Sequence, residues 1–393
     1  MPTIIIATVN RPAGDTGVHT HTRALCEGLA ESGLACAVQS PFTGGHGWLP
    51  IFAMRRLIRP INPSLSTQWY RHWHAMALRG NLMRDIARHG ARAVIAQCPL
   101  SADAALDVRQ RLGLDFPIAM VCHFNFSEAR EYRDKGELGN EAIYQAIIEQ
   151  ERRVLTSVDR VIYVSRWAQR VVEQARGIIP RNSTVIWNGI DPATPLPEVS
   201  RQSLGLAEDD LALMNVGTLE PRKDQIGLID LFAQVAKQFT SARLVLVGDG
   251  PQRAEIQRKI EALGLRDKVR LLGHRSEVPA LLPAADIYVH HATMENCPVA
   301  LLEAARAARP IAAARGGGAG ELLDALGGTS MQPGDLRSSL AALQPLLADA
   351  GVRRSAGANA RAAFERSFTR EAMAGAYIDA MQLNQLVGDG VRS

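Results

Sequence analysis

The chain has 393 residues, 47% hydrophobic and 21% charged, which suits a soluble globular protein too long for one ordinary domain. A net charge of +4 decides little, no nucleic-acid partner is expected, and no run of about 18 apolar residues offers a membrane-spanning helix. Five scattered cysteines without CxxC spacing argue against a disulfide framework and a zinc site, and point to a reducing, cytoplasmic compartment.

In chain order, "MPTIIIATVN" lacks the basic start and long apolar run of a signal peptide and reads as a first strand. The turn "NRPAGDTGVHTHTRAL" follows, where Gly14 and Gly17 let a ligand approach the backbone. "ACAVQS", "AVIAQC", "IAMVC" and "RVIYVS" are short apolar runs suited to buried parallel strands. Helical stretches such as "HTRALCEGLAESG" and "AIYQAIIEQERRVLTSV" separate them.

Residues 51–92 interrupt this regularity with eight arginines (Arg55, Arg56, Arg59, Arg71, Arg79, Arg84, Arg88, Arg92) against one acid, Asp85, and with Trp69, Tyr70 and Trp73 among them. A helix over "IFAMRRLIR" sets Ile51, Met54, Leu57 and Ile58 on one side and Arg55, Arg56 and Arg59 on the other. Such a helix suits an anionic membrane surface, or equally an ordinary solvated arginine face.

After "STVIWNG", the segment "IDPATPLPEVS" holds three prolines in eleven residues and reads as a hinge. The alternation then restarts at "LALMNVG", "ARLVLVG", "VRLLG", "DIYVHH" and "PIAAA". The fold class is therefore α/β with two doubly wound, Rossmann-like domains, residues 1–190 and 191–368. "FTREAMAGAYIDAMQLNQL" reads as a long amphipathic helix that Thr369 caps; residues 369–393 are expected to pack back on the first domain.

Doubly wound domains bind ligands at the carboxyl ends of their strands, so the turns there carry the chemistry. In "VGTLEPRKDQIGLIDLF" the strand ends at Gly217, and Arg222 and Lys223 fall at the positive end of the next helix, where a phosphate is favoured. In "DIYVHHATMENCPVALLEAARAA", Pro298 suits the first helical position, with Glu295 just before it. Glu303 then lies about 7 to 8 Å further along. The two acids suit two ends of one extended ligand, carboxylates accepting sugar hydroxyls on either side of a diphosphate. The other reading is structural, with Glu295 as a capping acid and Glu303 as a surface charge. No GxGxxG follows the first strand, and "ACAVQS" ends without the acid that would hold a ribose, which argues against a nicotinamide dehydrogenase. There is no Asp-x-Asp pair, and the His-x-His pairs at 19/21 and 72/74 lack further ligands nearby, so no metal site is expected.

The set "VGTLEPRK", "LVLVGDGP", "VRLLGHRSEVPALLPAADIYV", "ENCPVALLEA" and "GGGAGELL", with "VDRVIYVSRWA" and "VIWNGID" before them, resembles the retaining glycosyltransferases of family 4. The resemblance covers essentially the whole chain and is strongest over residues 185–325. It implies the GT-B architecture, with an N-terminal acceptor-binding domain, a C-terminal nucleotide-sugar-binding domain and the active site in the cleft between them. The implied donor is GDP-mannose or a UDP-sugar. The implied acceptor is a hydroxyl of a glycan or lipid-linked sugar, in cell-surface polysaccharide or lipopolysaccharide biosynthesis, with no metal or other cofactor.

By that resemblance Glu295 contacts donor-sugar hydroxyls, Glu303 holds the ribose, and Arg222 and Lys223 stabilise the departing diphosphate. Gly17 faces the diphosphate from the first domain and His123 lies near the donor sugar, a hydrogen-bonded histidine at a strand end being the other reading of the latter. Gly273, His274 and Arg275 hold the base, and Asn296, Cys297, Pro298 and Val299 complete the donor turn. Residues 40–92 are expected to shape the acceptor site, and membrane contact through residues 51–92 would make the protein peripheral on the inner face of the membrane.

Three departures from the family pattern bear on donor identity: Thr218 where many members have arginine, Asp224 for glycine or asparagine, and Asn296-Cys297 for Gly-Phe. Without an evident carboxylate nucleophile in the first domain, the resemblance implies a same-face mechanism in which the leaving diphosphate helps deprotonate the acceptor. A sugar phosphorylase or epimerase on the same fold, or an inactive nucleotide-sugar-binding scaffold, are the alternatives; intact Glu295, Glu303 and Lys223 weigh against the scaffold.

Overall fold

The computed structural model describes residues 3–12, 14, 16–44, 48–193 and 199–384. It divides into two compact units, Met1–Asn188 with Arg370–Ser393, and Gly189–Thr369. Residues 194–198 of the proline-rich segment lie outside the described residues.

The first unit carries strands β1 (Thr3–Ala7), β2 (Cys36–Gln39), β3 (Ala91–Ala96), β4 (Ile118–Cys122), β5 (Arg160–Tyr163) and β6 (Ser183–Val185), in the sheet order β2-β1-β3-β4-β5-β6. Every pairing is parallel. Runs such as Ile4–Ile6 and Ile118–Cys122 are wholly buried because helices cover both faces of a parallel sheet, which accounts for unbroken rather than alternating apolar sequence. Its helices are α1 (Gly17–Glu31), α2 (Leu49–Ile58), α3 (Pro63–His89), α4 (Pro99–Leu112), α5 (Glu128–Asp134), α6 (Glu141–Ser157) and α7 (Arg166–Arg176).

The second unit repeats the design with β7 (Leu211–Val216), β8 (Ala242–Val247), β9 (Val269–Gly273), β10 (Ile287–His290), β11 (Ile311–Ala314) and β12 (Thr329–Met331), ordered β12-β11-β10-β7-β8-β9. The helices α8 (Gln225–Gln238), α9 (Arg253–Ala262), α10 (Val278–Leu281), α11 (Val299–Arg306), α12 (Ala319–Ala325), α13 (Leu336–Ala348) and α14 (Ala350–Ser367) surround it. Three-residue β12, "TSM", is too short and polar to show in an apolar pattern. The chain then returns to the first unit as α15 (Arg370–Ala380), where Gly28 of α1 lets the helices meet: a Cβ there would stand 2.8 Å from the Ala374 Cβ. This helix is shorter than the amphipathic pattern predicts, ending in a turn at Met381–Asn384.

Part of the arginine-rich stretch is drawn into ion pairs within the first unit, while Arg56 stays exposed. Arg71 is buried and paired with Glu128 at 2.7 Å, and Arg79 pairs with Asp107 at 2.7 Å. Glu137 takes both Arg55 and Arg59, at 3.3 and 2.9 Å. The two-sided split of α2 fails because Arg55 turns inward to Glu137 while Met54 and Leu57 face solvent beside Arg56; Leu57 is 65% exposed, and Ile61 just beyond the helix is 86% exposed. Among the described residues no helix is long and apolar enough to cross a membrane.

Candidate active site

Two turns at the carboxyl ends of the neighbouring strands β7 and β10 build a charged site in the second unit. After β7, Pro221–Lys223 form a single 3-10 turn and Asp224 takes a left-handed conformation (φ 49°), from which its carboxylate caps α8 by accepting from the Gly227 N–H at 3.1 Å. The turn is tied to the strand beside it: the Thr293 N–H donates to the Arg222 carbonyl at 2.9 Å. The Glu295 backbone is gripped from its other side by the glycine loop, donating to Gly316 O and accepting from the Ala319 N–H, both at 3.2 Å. A Cβ at Gly317, where φ is +72°, would meet the Glu295 carbonyl at 2.5 Å, so only glycine permits this approach.

This clamp delivers the Glu295 carboxylate to Lys223, whose ammonium is ion-paired to it, and to Arg222 at 3.6 Å. On its other oxygen Glu295 accepts from His290 Nε2 at 2.6 Å, and His290 Nδ1 lies 3.3 Å from the Tyr288 hydroxyl. Glu295 is 7% exposed, and burial alone would raise its pKa; Lys223 and His290 outweigh that and hold the carboxyl well below the usual range. It does not cap α11. The cap position is Pro298, one residue earlier than the helical position predicted for it, and its side chain makes no cap hydrogen bond. Glu303, half-buried inside α11, lies close enough to Tyr288 that, after burial, the charges of Glu295 and Glu303 together push that phenol well above its ordinary value. Both glutamates thus bear on one buried tyrosine.

The remaining sequence-predicted residues fall in three places. Asn296 and Cys297 are buried in the same turn, and Val299 opens α11. Gly273 ends β9 in a left-handed conformation (φ 72°), with Arg253 Nη1 3.8 Å from where its Cβ would be, while Arg275 is half-exposed and pairs with Glu277 at 3.3 Å; His274 lies between them. Gly17 and His123 belong to the first unit. Gly17 opens α1 after Thr16, and His123 follows β4, bonded to Gln97 Oε1 at 2.9 Å with its ring 4.7 Å from His21. His21 is in turn bonded to Asn188 Oδ1 at 3.0 Å and lies 3.4 Å from the Tyr377 hydroxyl. Burial foremost holds His123 well below, and His21 down at about 4, so both imidazoles are neutral at pH 7.

Sequence reasoning missed His290 and His291. His291 Nδ1 bonds the capping carboxylate of Asp224 at 2.9 Å, fixing the Lys223 turn, as His290 fixes Glu295. The signal was present in "YVHH", a pair of imidazoles at a strand end just before the acid.

Two family models match the chain in tandem. Residues 16–194 match "Glycosyltransferase Family 4" and residues 198–363 match "Glycosyl transferases group 1". Among curated relatives, the lipopolysaccharide core biosynthesis glycosyltransferase LpsD of Rhizobium meliloti is 30% identical over 48% of this chain and 54% of its own length. The UDP-Gal:alpha-D-GlcNAc-diphosphoundecaprenol alpha-1,3-galactosyltransferase of Escherichia coli is 31% identical over 32% of this chain and 34% of its own. The chain spans about half or less of the length of these relatives. Among solved structures, HepE of Anabaena in complex with UDP-glucose superposes with a TM-score of 0.72 at 21% identity, covering 97% of this chain and 99% of that one. At that identity the likeness shows the fold.

Proposed function

The chain belongs to the family-4 glycosyltransferases and has their GT-B fold, and from that premise we infer that it moves a sugar from a nucleotide-sugar to a hydroxyl of a glycan or lipid-linked sugar, with retention of anomeric configuration. The observation that carries this reading is the buried Glu295 carboxylate, held ionised between Lys223 and His290 with Arg222 beside it. Such a group accepts hydrogen bonds from sugar hydroxyls, and the two cations next to it suit a diphosphate. The N–H groups at the start of α11 add a further anion-binding element.

In the proposed reaction the bond from the anomeric carbon to the β-phosphate oxygen breaks as the acceptor oxygen bonds to the same carbon on the same face. The acceptor proton passes to the departing diphosphate. Negative charge grows on the β-phosphate, and Arg222 and Lys223, already oriented, stabilise it without reorganising. Glu303 is assigned to the ribose, and Gly273 and Arg275 to the base. Because two side-chain cations carry the phosphate charge, turnover is expected to persist in EDTA.

A UDP-sugar is one donor candidate, supported by UDP and UDP-glucose in the HepE complexes, and GDP-mannose the other. Incubating the enzyme with each donor and a glycan extract, then reading the anomeric coupling of the product by NMR, tests the assignment. A retained linkage supports it. Trapping of a covalent glycosyl-enzyme on an Asp or Glu, or release of free sugar or sugar phosphate with no acceptor product, counts against it.

The membrane part of the proposal rests on exposed Met54, Leu57, Ile61 and Leu65 next to Arg56 and Arg59, apolar groups to insert and cations to meet anionic headgroups. Cosedimentation with anionic vesicles that is weakened by salt and abolished in Leu57→Ser/Ile61→Ser supports a peripheral enzyme acting on lipid-linked acceptors in cell-surface polysaccharide biosynthesis. No sedimentation at low salt removes that part.

A further inference from the structure

The first unit contains a cavity of about 550 Å³ that the donor chemistry does not use, and four arginines, Arg11, Arg55, Arg56 and Arg59, line it. Its volume is that of an ordinary small-molecule site. Among the described residues no aspartate or glutamate lines it. One carboxylate outside the lining, Glu137, serves both Arg55 and Arg59, so it cancels one charge of two. The guanidinium groups of Arg11 and Arg56 have no ion pair or hydrogen bond among the described residues, and Arg55 Nε is buried without a hydrogen-bond partner among them. The cavity thus holds a net excess of about three positive charges by this count, with donors left over.

Another part of the lining is aromatic. Phe52 stacks on His74 with centroids 4.0 Å apart, Phe42 meets Phe52 edge-on at 5.1 Å, and Arg11 lies over the Phe42 ring at 5.4 Å. His74 contributes a neutral ring: its Nδ1–H donates to the Tyr70 carbonyl at 2.9 Å, and burial first, then Arg55, holds its pKa down at about 4. A flat apolar surface suits the C–H face of a sugar ring, and planar guanidinium forks suit phosphate or carboxylate oxygens.

We propose that this cavity binds a sugar ring carrying a phosphate or carboxylate, the ring on the Phe42–Phe52–His74 surface and the anion on Arg11 and Arg56. The identification of that sugar as the acceptor rests on the glycosyltransferase reading; the binding itself does not. A phosphorylated or uronic-acid sugar within a glycan and a sugar joined through phosphate to a lipid carrier share this chemistry.

The test is isothermal titration of the full chain and of Arg11→Gln/Arg56→Gln with glucose 6-phosphate, glucuronate and glucose. A parallel arm uses phosphatidylcholine vesicles carrying polyprenyl-phosphoglucose. UDP and GDP binding is followed in both proteins as a measure of the donor site and of folding. The expected result is at least tenfold tighter binding of an anionic probe than of glucose, lost by tenfold or more in the variant with nucleotide affinity unchanged. Binding of the soluble sugars places the anion on the glycan, and capture by the vesicles alone places it at a lipid carrier. Glucose binding as tightly as its charged analogues, undiminished binding by the variant, or no binding of any anionic probe overturns the proposal. The nucleotide titration separates that failure from failure of the donor site.

Discussion

The two units spend their positive charge differently. In the second, Lys223 and Arg222 face one buried carboxylate, Glu295, which two turns and His290 hold in place, so that cations and acid fix one another before any ligand arrives. In the first, Arg11 and Arg56 face a cavity with no carboxylate in its lining among the described residues and an aromatic surface whose histidine is neutral. A mutually neutralising cluster suits a site that must stabilise charge as it develops on a leaving group. An unneutralised one suits a ligand that arrives charged.

Removing Lys223 breaks the first half of that contrast most severely. Lys223→Ala is expected to lower turnover by about 100- to 1000-fold, the scale of losing one preorganised electrostatic donor, while steady-state kinetics with Arg11→Gln show an effect confined to charged acceptors. Next in size is an acid effect on the first unit. His21 and His74 are held at about 4 in the fold against an ordinary 6.5, so between those values the unfolded chain takes up protons that the native chain refuses. Stability therefore falls as pH drops from about 6.5 to about 4 and levels off below, by about 3 kcal/mol for each imidazole. Denaturant titrations of His74→Phe across that range are expected to show a shallower loss than wild type. Glu295 has the same sign in a lower window: its contribution is complete above the ordinary carboxylate range and is lost progressively as pH falls below that range towards its own strongly lowered pKa.

A smaller effect distinguishes positioning from contact. His290→Gln is expected to reduce kcat by about tenfold with little change in KM, since a displaced Glu295 costs alignment rather than binding. The smallest concerns exposed Leu57 and Ile61: serine at both is expected to change stability by less than about 0.5 kcal/mol in chemical denaturation, whatever it does to vesicle binding.

What could be read from the sequence follows the same division. Each strand of the second unit except β12 announces itself as an apolar run, Arg222, Lys223 and Glu295 sit in turns right after two of them and Glu303 in the helix that follows, so strand-end logic finds them. The clamp on Glu295 was not legible, because Gly316 and Gly317 lie more than twenty residues away and their role depends on backbone approach. In the first unit the arginine excess over residues 51–92 was visible. Its meaning was not, since Glu128, Glu137 and Asp107, which pair with four of those arginines, come from later helices and loops. The cavity draws on residues 9–11, 42, 52–59, 70 and 74, four stretches that no local pattern connects.

The central claim is that the Lys223–Glu295 cluster binds the diphosphate of a nucleotide-sugar. Isothermal titration of wild type and Lys223→Ala with UDP, GDP and ADP tests it directly. The account predicts binding of one nucleotide by wild type, weakened at least tenfold in the variant. A folded wild-type protein that binds none of the three, or a variant that binds as tightly as wild type, would contradict it.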